Sequence, residues 1–373
     1  MKSFDSYRPR ALFDELIARS LNRGAGATTG APHLRSMQSS DRLQNDFVLA
    51  SLPAFAIGVW VGGAGLTASA AEGGAQDWRT ALAVMLGSDH WLAEFSLGLL
   101  TVLPLLLVAA TVSAFWEVLF AGLRRRPVDS GWPMMTWIFV LLLPLNTPLY
   151  LVALGMSFGA VMGKHIFGGT GRYVVSPALL GVVFLLFAYP SQFQTPSAVA
   201  LSFDAVADGN VALSWRSWLA AFLGLEGTAI GAASTLACLL GGVYLALRSA
   251  ISLRTVGGAI AGLAAAAWIF DQSANDATVW HLAWHWHLVL GYFAFCTVFV
   301  ATDPTIMPLM PAGRWIYGGL LGVLTVTIRV ANPAHPEGTL FAVLLASLCI
   351  ALIDHCLLRI KLGRRAVRSI GNA

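Results

Sequence analysis

The sequence predicts an all-α, polytopic membrane protein with about ten transmembrane helices, and three observations carry that expectation. Hydrophobic residues make up 57% of its 373 positions and charged residues 11%, with a mean hydropathy of +0.71, far more apolar than a soluble chain of this length requires. Apolar stretches approaching the ~20 residues that cross a bilayer as a helix recur from Phe47 onward. Ten-residue segments of period two, the mark of an outer-membrane barrel, are missing.

The first 46 residues differ: they are polar and basic, with an amphipathic stretch "ALFDELIARSL" and a linker "GAGATTGAP". No apolar core of a signal peptide lies there, so no cleavage is expected. A basic, partly amphipathic segment of this kind either lies on the membrane surface or docks a soluble partner protein. The transmembrane domain is expected over 47–358 and a basic tail over 359–373.

Ten spans are expected, at 47–66, 92–122, 133–147, 148–163, 176–190, 232–248, 255–270, 285–302, 314–330 and 338–358. With the N-terminus cytoplasmic, every Lys and Arg of the 23 falls on that side except Arg79, Arg216 and Arg329. The two long outer segments instead carry Glu72, Asp77, Asp89, Asp204, Asp208 and Glu226. This is the positive-inside distribution, and it places both termini in the cytoplasm of a bacterial inner membrane. The pI near 9.0 follows from the basic loops and is no argument for nucleic acid.

Spans three and four are short and joined by "LLLPLNTPLYL", where Pro144 and Pro148 each remove a backbone donor. This Pro-broken pair is either a pathway element lined by protein, or a tight hairpin at the outer surface. The loop "GKHIFGGTGR" lacks the spacing of a phosphate-binding P-loop, so its glycines are read as allowing close backbone packing or a re-entrant turn. In "WHLAWHWH", His281, His285 and His287 alternate with tryptophans at the outer mouth of span eight. His281 and His285 share a helix face and could clamp an ion, yet rings with an apolar body and a polar tip are what an interfacial aromatic belt contains. No metal or haem is expected. Cys238, Cys296, Cys349 and Cys356 lie in apolar runs without zinc-type spacing and read as small core residues.

Ionisable groups at membrane depth are costly and therefore functional candidates. Glu117, Asp303 and Asp354 all fall near the cytoplasmic ends of spans, where carboxylates suit a sodium or proton entry path because hard cations prefer oxygen ligands. The alternative for each is an interfacial carboxylate paired with a basic loop or capping a helix.

Several strings then occur together in one order: "FWEVLFA", "GKHIFGGTGR" followed by "PALLG", "FAYPSQ", "STLACLLGG", "WHWHLVLG", "FVATDP", "IRVANPAHPEGTLFAVLLASL" and "LIDH". As a set they resemble the NqrB/RnfD family, membrane components of the sodium-translocating NADH:quinone oxidoreductase (Nqr) and of the Rnf electron-transport complex. The resemblance implies a ten-helix fold with an internal repeat and residence in a multi-subunit respiratory complex that couples flavin-mediated electron flow from NADH to quinone to Na+ or H+ transport. It also carries the cation-entry role onto Glu117, Asp303 and Asp354.

Family members esterify flavin mononucleotide to a threonine of an S-G-A-T motif between spans five and six, whereas here that loop reads "SFDAVADGNVALSW" and covalent FMN is expected to be absent. Tyr173 and Ser176 stand where the resemblance implies asparagines at a non-covalent flavin (riboflavin or FMN), and Ala232 where it implies a glutamate. Thr228, Ser234 and Thr235 in "EGTAIGAAST" only loosely echo a flavinylation context. Two readings stand: a subunit of an Nqr- or Rnf-like complex with reduced or altered flavin content, partnered by other membrane and flavoprotein subunits and by quinone, or a paralogue acting as a passive channel or membrane scaffold.

Overall fold

A computed structural model describes residues 40–73, 77–86, 90–124, 128–190, 214–224, 229–273, 282–331 and 338–371. Every regular element among them is helical. The order is α1 (Ser40–Gly73), α2 (Trp78–Leu86), α3 (Trp91–Arg124), α4 (Trp132–Leu141), α5 (Leu149–Phe158), α6 (Pro177–Ala188), α7 (Trp215–Leu223), α8 (Thr235–Leu247), α9 (Leu253–Ser273), α10 (Trp284–Val289), α11 (Phe293–Phe295), α12 (Pro311–Ala331), α13 (Gly338–Leu348) and α14 (Ile350–Gly371). Two π-helical segments interrupt it: Gly159–His165 continues α5 and Cys296–Val300 continues α11.

Each expected span coincides with one helix or one broken helix, and the chain is an all-α polytopic membrane protein. Among the described residues, the stretches Arg42–Ala71, Trp91–Arg124 and Leu253–Gln272 are long and apolar enough to cross a bilayer as single helices, while α13 and α14 would form a fourth crossing bent by 41°. The remaining spans are short or interrupted. Two further helices, α2 and α7, lie between the first and second and between the fifth and sixth expected spans. Past the expected boundary at 358, α14 runs on to Gly371.

Close helix contact, rather than flexibility, accounts for the glycines at the main helix crossings. A methyl group on Gly98 of α3 would stand 1.9 Å from the carbonyl oxygen of Val59, and one on Gly63 of α1 would stand 1.9 Å from that of Glu94. The α9–α12 contact repeats the device: added carbons on Gly318 and Gly322 would meet the Thr255 and Ala259 oxygens at 2.2 and 2.1 Å. Lipid is as apolar as the side chains, so contact this close is what drives helices together in a membrane.

The Pro144 break is internal. All of residues 141–147 except Asn146 are buried. Their freed carbonyls are taken up by protein: Gly231 and Ile230 N–H groups donate to the Leu141 and Leu143 oxygens (2.6 and 3.2 Å), and the Tyr292 hydroxyl donates to Leu142 (3.2 Å). Residues 141–147 therefore pack against the entry to α8, the arrangement that irregular backbone inside a membrane protein requires.

Cys238 and Cys296 lie in the core as expected, but Cys349 is half-buried and Cys356 exposed. The reason is the helix period: Cys356 falls on the face of α14 turned away from the bundle, beside exposed Leu352 and Ile360.

Candidate functional site

The C-terminal end of α3 and the two π segments bring the charged residues together. A π turn closes i→i+5 rather than i→i+4, with Ile166 N–H on Val161 O (3.0 Å) and Ala301 N–H on Cys296 O (2.7 Å). The first turn delivers Lys164 and His165, consecutive residues, both into the interior. The Lys164 ammonium lies 2.7 Å from Glu117 Oε2 and 3.8 Å from Asp129 Oδ2, with Lys164 and Glu117 side chains 1% and 5% exposed. Asp129 N–H donates to Glu117 Oε1 (3.2 Å).

Around this pair the packing is specific. The His165 ring stacks on Phe120 at 4.4 Å, and the Arg124 guanidinium lies 5.2 Å from the centre of the same Phe120 ring while donating to the His165 carbonyl. The glycine-rich loop folds against Asp129, whose Oδ2 accepts the Thr170 N–H at 2.6 Å. Gly169 there adopts φ +107°, a conformation side chains disfavour. Burial by itself would raise the Asp129 carboxyl, but the Lys164 charge and hydrogen bonds from Thr170 and Gly131 outweigh it and hold it below its ordinary value.

Asp303 follows the second π segment. The Thr305 N–H and hydroxyl both reach its Oδ1, at 2.9 and 2.7 Å, and that hydroxyl also lies 3.0 Å from the Tyr173 hydroxyl. Burial pushes the Asp303 carboxyl above the usual carboxylate range, against the hydrogen bonds from Thr305 and Tyr173. Tyr173 is itself raised, by burial and then by the Asp303 charge, and it also feels Asp129. Asp354 accepts the Leu309 N–H on Oδ2 (3.1 Å), while its Oδ1 has no hydrogen-bond partner. The 303–310 loop thus links Asp303 to Asp354, and Tyr173 stands electrostatically between Asp303 and the Glu117–Lys164–Asp129 group.

Lys164 and Asp129 do not stand out as site residues in the sequence. The one signal there is a lysine directly after an apolar helix, which a basic loop explains equally well.

The hydroxyl candidates for flavin do not fit esterification. Ser234 is fully buried, caps α8 by accepting the Ala237 N–H, and lies 3.4 Å from the Phe222 carbonyl. Thr235 is 8% exposed and directed at the Val289 carbonyl. A transferase needs a reachable hydroxyl, and neither residue offers one. Thr228 lies outside the described residues. Ser176 is buried at the start of α6, and the Tyr173 hydroxyl is engaged with Thr305.

At the opposite end, His287 is buried, His285 half-buried between Trp284, Trp286 and Trp218, and Trp218 donates to the His285 carbonyl (3.2 Å). His281 lies outside the described residues, among which no group of three or more His, Cys, Asp or Glu is arranged to hold a metal ion. Two arginines stabilise the broken segments there. Arg79 donates to the carbonyls of Asn146 and Thr147 (2.9 and 2.7 Å), and Arg329 to those of His287 and Leu290 (2.8 and 2.7 Å) and to the Thr339 hydroxyl (3.2 Å).

A family model described as "NQR2, RnfD, RnfE family" matches residues 27–363. The chain belongs to that family. It is 39% identical to the B subunit of the Na(+)-translocating NADH-quinone reductase of Azotobacter vinelandii, over 95% of this chain and 93% of the relative. The protein of the same name from Chromohalobacter salexigens is also 39% identical, over 91% and 87%, and that of Pseudomonas aeruginosa is 41% identical over 72% and 69%. Glu117, Lys164, Asp303 and Asp354 all fall inside the region the family model covers.

Proposed function

We propose that this chain is a membrane subunit, of the NqrB type, in a complex that passes electrons from NADH to quinone and couples them to transport of Na+ or H+. The observation that carries this reading is the 39% identity, along nearly the whole chain, to relatives named as the B subunit of the Na(+)-translocating NADH-quinone reductase. Its partners are the other membrane and flavoprotein subunits and quinone, and it sits in the bacterial inner membrane with segment 1–46 and the end of α14 in the cytoplasm. The cation enters from that side past Glu117, Asp303 and Asp354. These three contribute oxygen ligands at the end of the molecule where the basic loops gather, and the unpartnered Asp354 oxygen supports a ligand role. No covalent flavin is carried.

Affinity purification in mild detergent followed by mass spectrometry tests the assignment: flavoprotein and iron–sulfur subunits should co-purify. Their absence would favour the second reading, a channel or scaffold outside electron transfer, which the missing S-G-A-T threonine and the buried Ser234 and Thr235 support. In the assembled complex, Glu117→Gln and Asp354→Asn should each raise the sodium concentration for half-maximal turnover while leaving assembly intact. Unchanged sodium dependence in both would leave these carboxylates as helix-end pairs.

A further inference from the structure

The cation-path reading leaves Lys164 and Asp129 without a role, yet they make the tightest charged contacts of the site. Lys164 places a monovalent positive charge 2.7 Å from the Glu117 carboxylate, where an incoming cation would have to sit. The second carboxylate, Asp129, is 3.8 Å from the same ammonium and differs in access, its side chain being 31% exposed against 5% for Glu117. One carboxylate is therefore closed off and the other open to solvent, with the ammonium between them. The remaining ionisable neighbours are His165, which burial keeps neutral and whose Nε2 lies 3.6 Å from Glu117 Oε2, and Arg124, which is turned to the His165 carbonyl.

The backbone around Lys164 is fixed while its side chain is a flexible four-carbon stem. A methyl group on Gly163 would stand 2.7 Å from Pro177 Cα, and the π turn and the Phe120 stack hold His165. Asp129 is held in reach of the ammonium by Thr170 N–H. A lysine ammonium is a compact point charge with rotatable donors, so it neutralises the same oxygens as a small cation and can change partner by a small swing. We propose that Lys164 is a tethered competitor of the transported cation: its ammonium closes Glu117, and it shifts to Asp129 when a cation takes its place. The proposal rests on the cation-path reading and adds a specificity residue, Lys164, and its acceptor, Asp129. The charges balance, since one lysine and two carboxylates total −1 and one monovalent cation brings the group to zero.

The test uses the purified complex, titrated with NaCl at constant ionic strength made up with choline chloride. Two quantities are read, half-maximal turnover and half-maximal thermal stabilisation by sodium. Lys164→Gln should lower the half-saturating sodium about tenfold in both, equivalent to ~1.4 kcal/mol of lost competition. Lys164→Arg keeps the charge and should hold it at or above the parent value. Asp129→Asn, at a partly exposed position, should raise it, because the displaced ammonium loses its acceptor. An assembled Lys164→Gln complex with unchanged or higher half-saturating sodium, or an Asp129→Asn complex with no change, overturns the proposal. Asp303→Asn and Asp354→Asn separate the two levels. If they shift the sodium dependence and the Lys164 and Asp129 variants do not, the competitor is wrong and the path stands; if none shifts it, the path reading fails as well.

Discussion

Single buried side chains carry much of the architecture, and Arg329 is the sharpest case. Its side chain is among the largest that are fully buried, and it holds two main-chain carbonyls at the end of α10 together with the Thr339 hydroxyl of α13. Hydrogen bonds to a charged group contribute ~1.5–3 kcal/mol each, and a stranded buried carbonyl costs a similar amount. Arg329→Gln is therefore expected to lower the thermal midpoint in detergent clearly, by ~3 kcal/mol or more of stability, and Arg329→Lys to rescue it poorly, because the ammonium lacks the fixed planar fork that spans the two carbonyls and the Thr339 hydroxyl. A melt indistinguishable from the parent would show that the break after α10 is held by other contacts. Hydroxyl chemistry gives a second residue-level expectation. Ser234 and Thr235 are turned into the protein, so the intact mass of the purified chain should be that of the unmodified polypeptide, even with a flavin transferase co-expressed, and the denatured band should not fluoresce. A flavin phosphate mapped to Ser234 or Thr235 would require α8 to open at its start.

Helix pairs are the next scale, and the glycine contacts make a graded prediction. Gly322→Ala places a carbon 2.1 Å from the Ala259 oxygen, inside a contact of two backbones that cannot yield locally. The α9–α12 pair should separate, and the variant should be lost from the monodisperse peak in size-exclusion chromatography. Gly65→Ala and Gly122→Ala meet no atom within 4 Å and should be neutral or stabilising by ~0.5–1 kcal/mol, the ordinary helical preference of alanine. Reversal of that order would mean the helices cross elsewhere. Such elements were legible in the sequence where a continuous apolar run met a charge boundary, as in α1, α3 and α9. The π segment after α5 was not, because its Gly159 and Gly163 pack on Pro177, a tertiary contact rather than a local signal. The same limit hid the core of the site: Glu117, Asp303 and Asp354 stood out as carboxylates in apolar surroundings, whereas Lys164 reads as one more basic residue unless its π turn is known.

At the scale of the molecule, the contacts between distant segments sort into two groups that agree with ten crossings. Asp46 meets Arg248 and Tyr244, Arg124 meets His165, Asp129 meets Thr170, Tyr173 meets Thr305, and Leu309 meets Asp354. Alternation from a cytoplasmic N-terminus puts every one of these residues on the inner side. Arg79 meets Asn146 and Thr147, Trp218 meets His285, and Arg329 meets His287 and Thr339, all of which the same alternation puts on the outer side. An error of one crossing would force some of these pairs through the bilayer, so the folded contacts and the charge distribution, which are independent, favour the same count. Lys and Arg crowd the first group, and basic loops stay on the cytoplasmic side during insertion. Reporters fused after Arg42 and after Ala373 should therefore both read as cytoplasmic, and one placed within 195–215 as external. A cytoplasmic signal from 195–215 would remove one crossing before α7. It would then leave Arg248 and Thr305 across the bilayer from Asp46 and Tyr173, against the Asp46–Arg248 and Tyr173–Thr305 contacts that the structure contains.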